Sequence, residues 1–279
     1  SSATYATWII KGGGGPTATN SAGAGATPTA GSVKIDGVNL GSALAGTIAA
    51  TKISANTTLG MSCGTYTGTG SANETIATGL TGCEMIIVKR TDTTYGWAVW
   101  NSGLTDDYSM LLNTTAAQVN SGYWDTSGNT STLIELGTDS EAVNKSGQPY
   151  YFMAFAPSQF ISIGSYEGNA NADGAFVPTL NSLGVPIQPT FILQKNIDGA
   201  FHWQMYDTAR DPFNVVTHDL YANSSGAEVD AAGGSNILDI VTGGFKCRGT
   251  GDPNRANTSI FMAIGTPVID TDGRIIGGR

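Results

Sequence analysis

The chain has 279 residues, with 13 Lys and Arg against 22 Asp and Glu, a net charge of −9 and a pI near 4.5. Phosphate binding needs clustered cations, and these 13 form no run, so a nucleic-acid surface is excluded. No apolar stretch approaches the roughly 20 residues of a membrane-crossing helix, while 38 glycines and only 13% charged residues point to an all-β protein rich in tight turns.

In chain order, Thr4–Ile10 alternates like a short strand and runs into Gly12-Gly13-Gly14-Gly15-Pro16 and a Thr/Ala/Ser/Gly stretch to Gly31. Such a composition cannot order itself alone, and two readings fit: a flexible linker, or an extended arm ordered only by packing on a partner or a neighbouring copy. Val33–Leu40 alternates as a strand with a turn at Asp36-Gly37. Leu44–Ile53 fits a short helix or an extended connector.

From there the chain says one thing twice. Gly64-Thr65-Tyr66-Thr67-Gly68 is answered by Gly164-Ser165-Tyr166-Glu167-Gly168, and the apolar run Met85–Lys89 by Phe191–Lys195. Trp97-Ala98-Val99-Trp100-Asn101 is answered by Trp203-Gln204-Met205-Tyr206-Asp207, and Asn113–Gln118 by Asn223–Glu228. Each copy closes on an aromatic strand, Tyr151–Phe155 and Ile260–Ile264. Five landmarks in one order, offset by 100 residues (64 to 164) rising to 110 (113 to 223), indicate an internal repeat. Short apolar stretches divided by Gly, Asn, Asp and Ser suggest an antiparallel sandwich or jelly roll in each copy. Met85–Val88 and Phe191–Leu193 read as central strands buried on both faces, and Thr114–Val119 is the best helical candidate, a turn or two. The expected organisation is an arm and connector at 1–60, sandwiches at 61–157 and 158–267 joined by a short link that packs them closely, and a tail at 268–279.

Chemistry is sparse. His202 and His218 have no counterpart in the first copy; His202 reads as a strand residue, and His218 can bond its neighbour Asp219. A glycosidase needs two converging carboxylates. Asp207, Asp211, Asp219 and Glu228 are available, but Asp207 matches Asn101, so the repeat does not preserve a carboxylate there. Arg210 can pair Asp207 or Asp211, or contact carbohydrate. Asp270-Thr271-Asp272-Gly273 opens like a calcium loop but lacks the distal Glu and reads as a turn. Gly12–Gly15 lacks the downstream Gly-Lys of a phosphate loop, and Cys and His lack metal-ligand spacing, so neither cofactor nor metal is expected. Cys63 and Cys83 flank the first strand pair and can form a disulfide; equally, they and Cys247 can be small buried thiols. Aromatic rings can stack on sugars. Trp97 and Trp203 recur and belong to the scaffold, whereas Tyr123-Trp124, in a Ser/Gly/Asn-rich loop of the first copy alone, is the better contact candidate. The candidate glycan contacts are Tyr123, Trp124, Trp100, Tyr206 and Arg210.

Several of these stretches resemble a duplicated domain of bacteriophage virion proteins, familiar from phages of marine and aquatic bacteria as tail fibres. In the first copy they are Tyr-Thr-Gly-Thr-Gly at 66–70, Ile-Ile-Val-Lys-Arg at 86–90, Trp-Ala-Val-Trp at 97–100 and Leu-Asn-Thr-Thr-Ala-Ala at 112–117. The second copy is the closer match, through Gly164-Ser165-Tyr166, Phe191–Lys195, Tyr206–Val215 and Gly243-Gly244-Phe245-Lys246, and the likeness covers roughly residues 38–265. The resemblance implies a non-enzymatic β-sandwich protein at the virion surface, assembled in the host cytoplasm, with no catalytic residues. It further implies a homo-oligomer, trimers being common for such appendages, that touches other virion proteins through its N-terminal arm and host-surface glycans through its loops. The rival readings are a capsid decoration protein, a polysaccharide depolymerase and a secreted carbohydrate-binding module; the start of the chain carries no secretory signal pattern, which weighs against the last.

Overall fold

The computed structural model describes residues 6–138 and 141–268. Among these residues the chain forms twenty strands, two short 3-10 turns and no α-helix. The strands through the first copy are β1 (Val33–Ile35), β2 (Val38–Asn39), β3 (Ala50–Asn56), β4 (Met61–Thr67), β5 (Glu74–Ala77), β6 (Met85–Arg90), β7 (Trp97–Asn101), β8 (Tyr108–Leu111), β9 (Val119–Asn120), β10 (Leu133–Leu136) and β11 (Pro149–Phe155). Those of the second are β12 (Ile161–Glu167), β13 (Phe176–Pro178), β14 (Ile187–Asn196), β15 (Gln204–Asp207), β16 (His218–Tyr221), β17 (Val229–Asp230), β18 (Leu238–Val241), β19 (Gly244–Cys247) and β20 (Thr258–Pro267).

A nine-stranded sheet runs β2-β1-β3-β4-β11-β6-β7-β8-β9, and a six-stranded sheet runs β12-β20-β14-β15-β16-β17. All pairings are antiparallel except β1 with β3. Two smaller sheets, β10-β5 and β13-β19-β18, complete the set.

Side-chain alternation explains how these layers stack. On β6, Ile86 and Val88 join a core shared with Ile76 of β5 and Ile134 of β10, whereas Met85 and Ile87 face the other way. On β20, Phe261 and Ala263 meet Val177 of β13 and Phe245 of β19, whereas Ile260 and Met262 face Met85 and Ile87. Three apolar cores therefore separate four layers, with the two large sheets back to back in the middle. The continuous apolar runs are buried on both faces because their two faces serve different cores.

The large sheets follow the same strand order from β4 and from β12, and individual hydrogen bonds recur with it. Trp97 N–H donates to Asn113 Oδ1 at 2.9 Å and Trp203 N–H to Asn223 Oδ1 at 2.8 Å. The hydroxyls of Tyr66 and Tyr166 each donate to a carbonyl at 2.6 Å, Val143 O and Pro253 O. Asn101 Oδ1 accepts from Gly103 N–H and Asp207 Oδ1 from Ala209 N–H. The turn needs only an acceptor there, so Asn and Asp serve alike. The glycine of each Tyr-x-Gly stretch sits against backbone: a Cβ on Gly68 would lie 2.5 Å from Lys145 O, and one on Gly168 1.9 Å from Arg255 O.

Three strands come from the stretch read as arm and connector. Asp36 and Gly37, at φ 52° and 84°, make the expected two-residue turn between β1 and β2. The segment Leu44–Ile53 ends in β3, an extended strand rather than a helix. Ahead of it, residues 6–31 lie on their own chain: Asn20 Nδ2 donates to Ala50 O, Asn20 N–H to Thr51 O, and Gly37 N–H to Gly13 O. Trp8 crosses to the second copy, donating Nε1–H to Asp207 Oδ2 at 3.3 Å and packing on Phe191 with ring centroids 5.4 Å apart. These described residues are positioned by contacts within the chain itself. The helical expectation at Thr114–Val119 also gives way, to an irregular loop ending in β9.

Candidate functional site

The structure corrects the expected contact residues. Trp124 is 2% exposed; its ring donates Nε1–H to Val99 O, and its backbone bridges Leu136 of β10, so the Ser/Gly-rich loop is folded over the first core. Tyr123 is buried beside it with its hydroxyl 3.2 Å from that of Tyr95. Tyr206 is fully buried in the outer core of the second copy and bonds Asn236 O. Arg210 is held by Asp207 (2.7 Å), Glu228 (2.7 Å), Met205 O (2.8 Å) and His218 O (3.2 Å), a brace for the β15–β16 connection rather than a hand extended to solvent. Of the five, Trp100 borders a groove, and at 9% exposure it presents too little ring for a sugar to stack on.

That groove holds about 430 Å³ and is lined by Trp100, Ser102, Leu104, Asp106, Asp107, Thr126, Ser127 and Asn129. It lies between the β7–β8 hairpin and the 3-10 turn Thr126–Gly128. Asp107 adopts φ 65° and its Oδ1 accepts from Thr126 N–H (2.8 Å) and Thr126 Oγ1–H (2.9 Å), locking the two loops together. Asp125 caps the turn, its Oδ1 accepting from Ser127 N–H (3.2 Å) and Ser127 Oγ–H (2.7 Å). Glu135 lies beneath; burial raises its carboxyl above the usual carboxylate range, and Asp125 and Asp107 push in the same direction. Hydroxyls, carboxylates and an amide beside a nearly buried indole, with no Lys or Arg in the lining, suit an uncharged polyol such as a sugar. Sequence reasoning passed over Asp106, Asp107, Thr126 and Asn129; the sign available was two short polar clusters flanking the buried Tyr123-Trp124.

The histidines have structural partners. His218 Nδ1 lies 2.8 Å from Asp211 Oδ1, not against Asp219, and that bond raises the imidazole above its ordinary pKa. Burial pushes the Asp211 carboxyl up, but bonds from the backbone and ring of His218 and from Thr217 N–H hold it below the usual range. His202 stacks on Tyr221 with centroids 4.1 Å apart and meets Asn223 Nδ2 at 2.9 Å. Cys63, Cys83 and Cys247 are free thiols. Among the described residues no three His, Cys, Asp or Glu side chains gather where a metal ion can be held; the stretch 270–273, expected as a turn, lies outside them.

Residues 36–266 match the family described as Domain of unknown function (DUF7483), and the chain belongs to that family. No curated protein and no solved structure matches it.

Proposed function

We propose that the protein is a non-enzymatic structural component of a bacteriophage particle, a tail-fibre-like surface appendage whose groove beside Trp100 takes a neutral host-surface glycan. On this reading the chain is two tandem β-sandwiches that arose by duplication, preceded by an extended arm. The observation that carries the contact role is the groove's lining, which offers several hydroxyl-matching groups without a cation. The residues behind the resemblance support the appendage role in another way. Tyr66 and Tyr166, and Trp97 and Trp203, make the recurring bonds of the frame, so the likeness lies in the scaffold. Catalysis is disfavoured because three of the four carboxylates read as candidates are engaged, Asp207 and Glu228 by Arg210 and Asp211 by His218, while the fourth, Asp219, is fully buried. Ile9, 90% exposed next to the anchored Trp8, is the point from which the arm meets other virion proteins.

The test has two parts. Immunogold labelling of purified particles should place the chain on the tail; absence from particles would sink the virion role. Titration of the full chain with neutral host polysaccharide should show binding that Asp106→Ala combined with Ser102→Ala weakens at least about tenfold, with an unchanged melting transition. Equal binding by wild type and variant would remove the groove from the contact.

A further inference from the structure

The edges of the large sheets are not alike. Three of them, β2, β9 and β17, are two-residue strands, the short edges by which sheets avoid unwanted pairing. The fourth, β12, is seven residues long and pairs only with β20. Its counterpart in the first copy, β4, is covered: Met61, Cys63 and Thr65 pair with Asn56, Ser54 and Lys52 of β3. No strand precedes β12 in that place.

The groups left over can be worked out. Gly265 N–H donates to Phe160 O at one end of the β12–β20 ladder, and Gly168 N–H to Asn257 O at the other, over an unbroken register. Bonds in an antiparallel pair alternate between residues, so the even-numbered Ser162, Gly164 and Tyr166 exchange with β20. The odd-numbered residues point their N–H and C=O away from it. Ile161 spends its pair on Ser158, which leaves Ile163, Ser165 and Glu167 with no backbone partner among the described residues. The strand has neither Lys nor Pro nor a bulge to blunt it. Beside it a hollow of about 460 Å³ is lined by Pro157, Ile163 and Leu180 together with the polar Thr81, Glu84, Asn181 and Ser182, with Leu183 77% exposed nearby.

We propose that this edge docks β12 of a second copy of the chain, antiparallel about a two-fold axis through Ser165, joining two six-stranded sheets into one. Two observations favour a second copy. The covered counterpart β4 accepts its neighbour antiparallel, as a two-fold junction requires. A register with Ser165 facing Ser165, and Ile163 facing Glu167, satisfies all three free residues of each copy at once. The two Glu167 carboxylates then stand about 13 Å apart, four residues along the strand and beyond a Debye length at physiological salt. Each is already held by its own Thr258 hydroxyl at 2.6 Å.

Sedimentation velocity of the full 28.7 kDa chain tests this. A concentration-dependent dimer is expected. Ser165→Pro removes an N–H that β20 does not use, at an edge where proline is tolerated. It should weaken association on the order of 100-fold, with far-UV circular dichroism and melting unchanged. Ser165→Cys should cross-link as a covalent dimer on mild oxidation. A monomeric or trimeric wild type, or a folded Ser165→Pro variant that still dimerises, would overturn the proposal. So would failure of Ser165→Cys to cross-link, which decides the matter if the proline variant does not fold.

Discussion

Lys195 is fully buried near the end of β14, and it should leave a signature in the pH dependence of stability. Its ammonium donates to Asn196 O at 2.5 Å and Gly199 O at 3.2 Å, closing the β14–β15 hairpin, as Lys89 closes β6–β7 on Thr93 O and Tyr95 O. Burial lowers its pKa from 10.5 to about 8, against the opposing pull of Asp252. Between those values the unfolded chain keeps a proton that the folded chain has released, so stability rises with pH. At 1.36 kcal/mol per unit the total is on the order of 3 kcal/mol, most of it falling between pH 7 and 10. Lys195→Met keeps most of the volume and removes the titration. It also orphans two carbonyls, a cost that does not vary with pH. Guanidinium unfolding of both proteins at pH 7 and 10 isolates the effect: wild type should gain on the order of 2–3 kcal/mol relative to the variant. Tyrosine titration is common to both and cancels. A difference that stays flat across this window would refute the placement of a charged, desolvated lysine there.

Two further outcomes follow from titratable groups. The ring proton of His218 should titrate above the ordinary histidine value in an NMR pH series, and Asp211→Asn should return it towards that value. Because its folded pKa is raised, its contribution to stability is present below the unfolded pKa, near 6.5, and is lost as pH rises through the folded one. Burial pushes the Cys83 and Cys247 thiols up to about 12, so a disulfide-exchange reagent at pH 8 should reach only the half-buried Cys63 in the native protein and all three after unfolding. A native protein with no reactive thiol would contradict the exposure of Cys63.

What could be read from the sequence was local and periodic. Asp36-Gly37 is a turn because both positions need positive φ, and Met85–Val88 is a central strand because nothing in it faces water. β3 escaped for an equally local reason. Its register with β4 shifts between Ala50 and Lys52, which breaks the alternation, and Ile53 and Ala55 are its only fully buried apolar side chains. Tyr123-Trp124 failed through non-local contact. Their neighbours are Ser, Gly and Asp, so the stretch reads as an exposed loop, but pairing with β10 turns both rings into the first core. The groove was illegible for the same cause, since Asp107 and Thr126 are joined by a bond across nineteen positions. Arg210 was half legible: Asp207 is its expected partner, while Glu228 arrives from a distant strand end.

The two large sheets share a strand order but fill it by different means. On the face of the first large sheet that meets its small sheet, Val88 pairs with Ala98, and Ser109 follows on β8. The corresponding places in the second are Gln194, Gln204 and Asp219, all fully buried. They form a chain across three strands: Gln194 donates to Gln204, whose amide donates to Asp219 at 3.2 Å, and the Tyr166 hydroxyl stands 3.4 Å from Gln194 Oε1. In the first copy Tyr66 instead stacks on Tyr150, centroids 5.1 Å apart. A one-residue slip turns an apolar face away from its core, and in a buried polar chain it also leaves every displaced member unpaired. The register of β14, β15 and β16 is thus fixed by hydrogen bonds, at the cost of a desolvated carboxyl: burial raises Asp219 above the usual carboxylate range. The second copy, which also leaves its β12 edge uncovered, is the half whose strand alignment is specified most tightly from within.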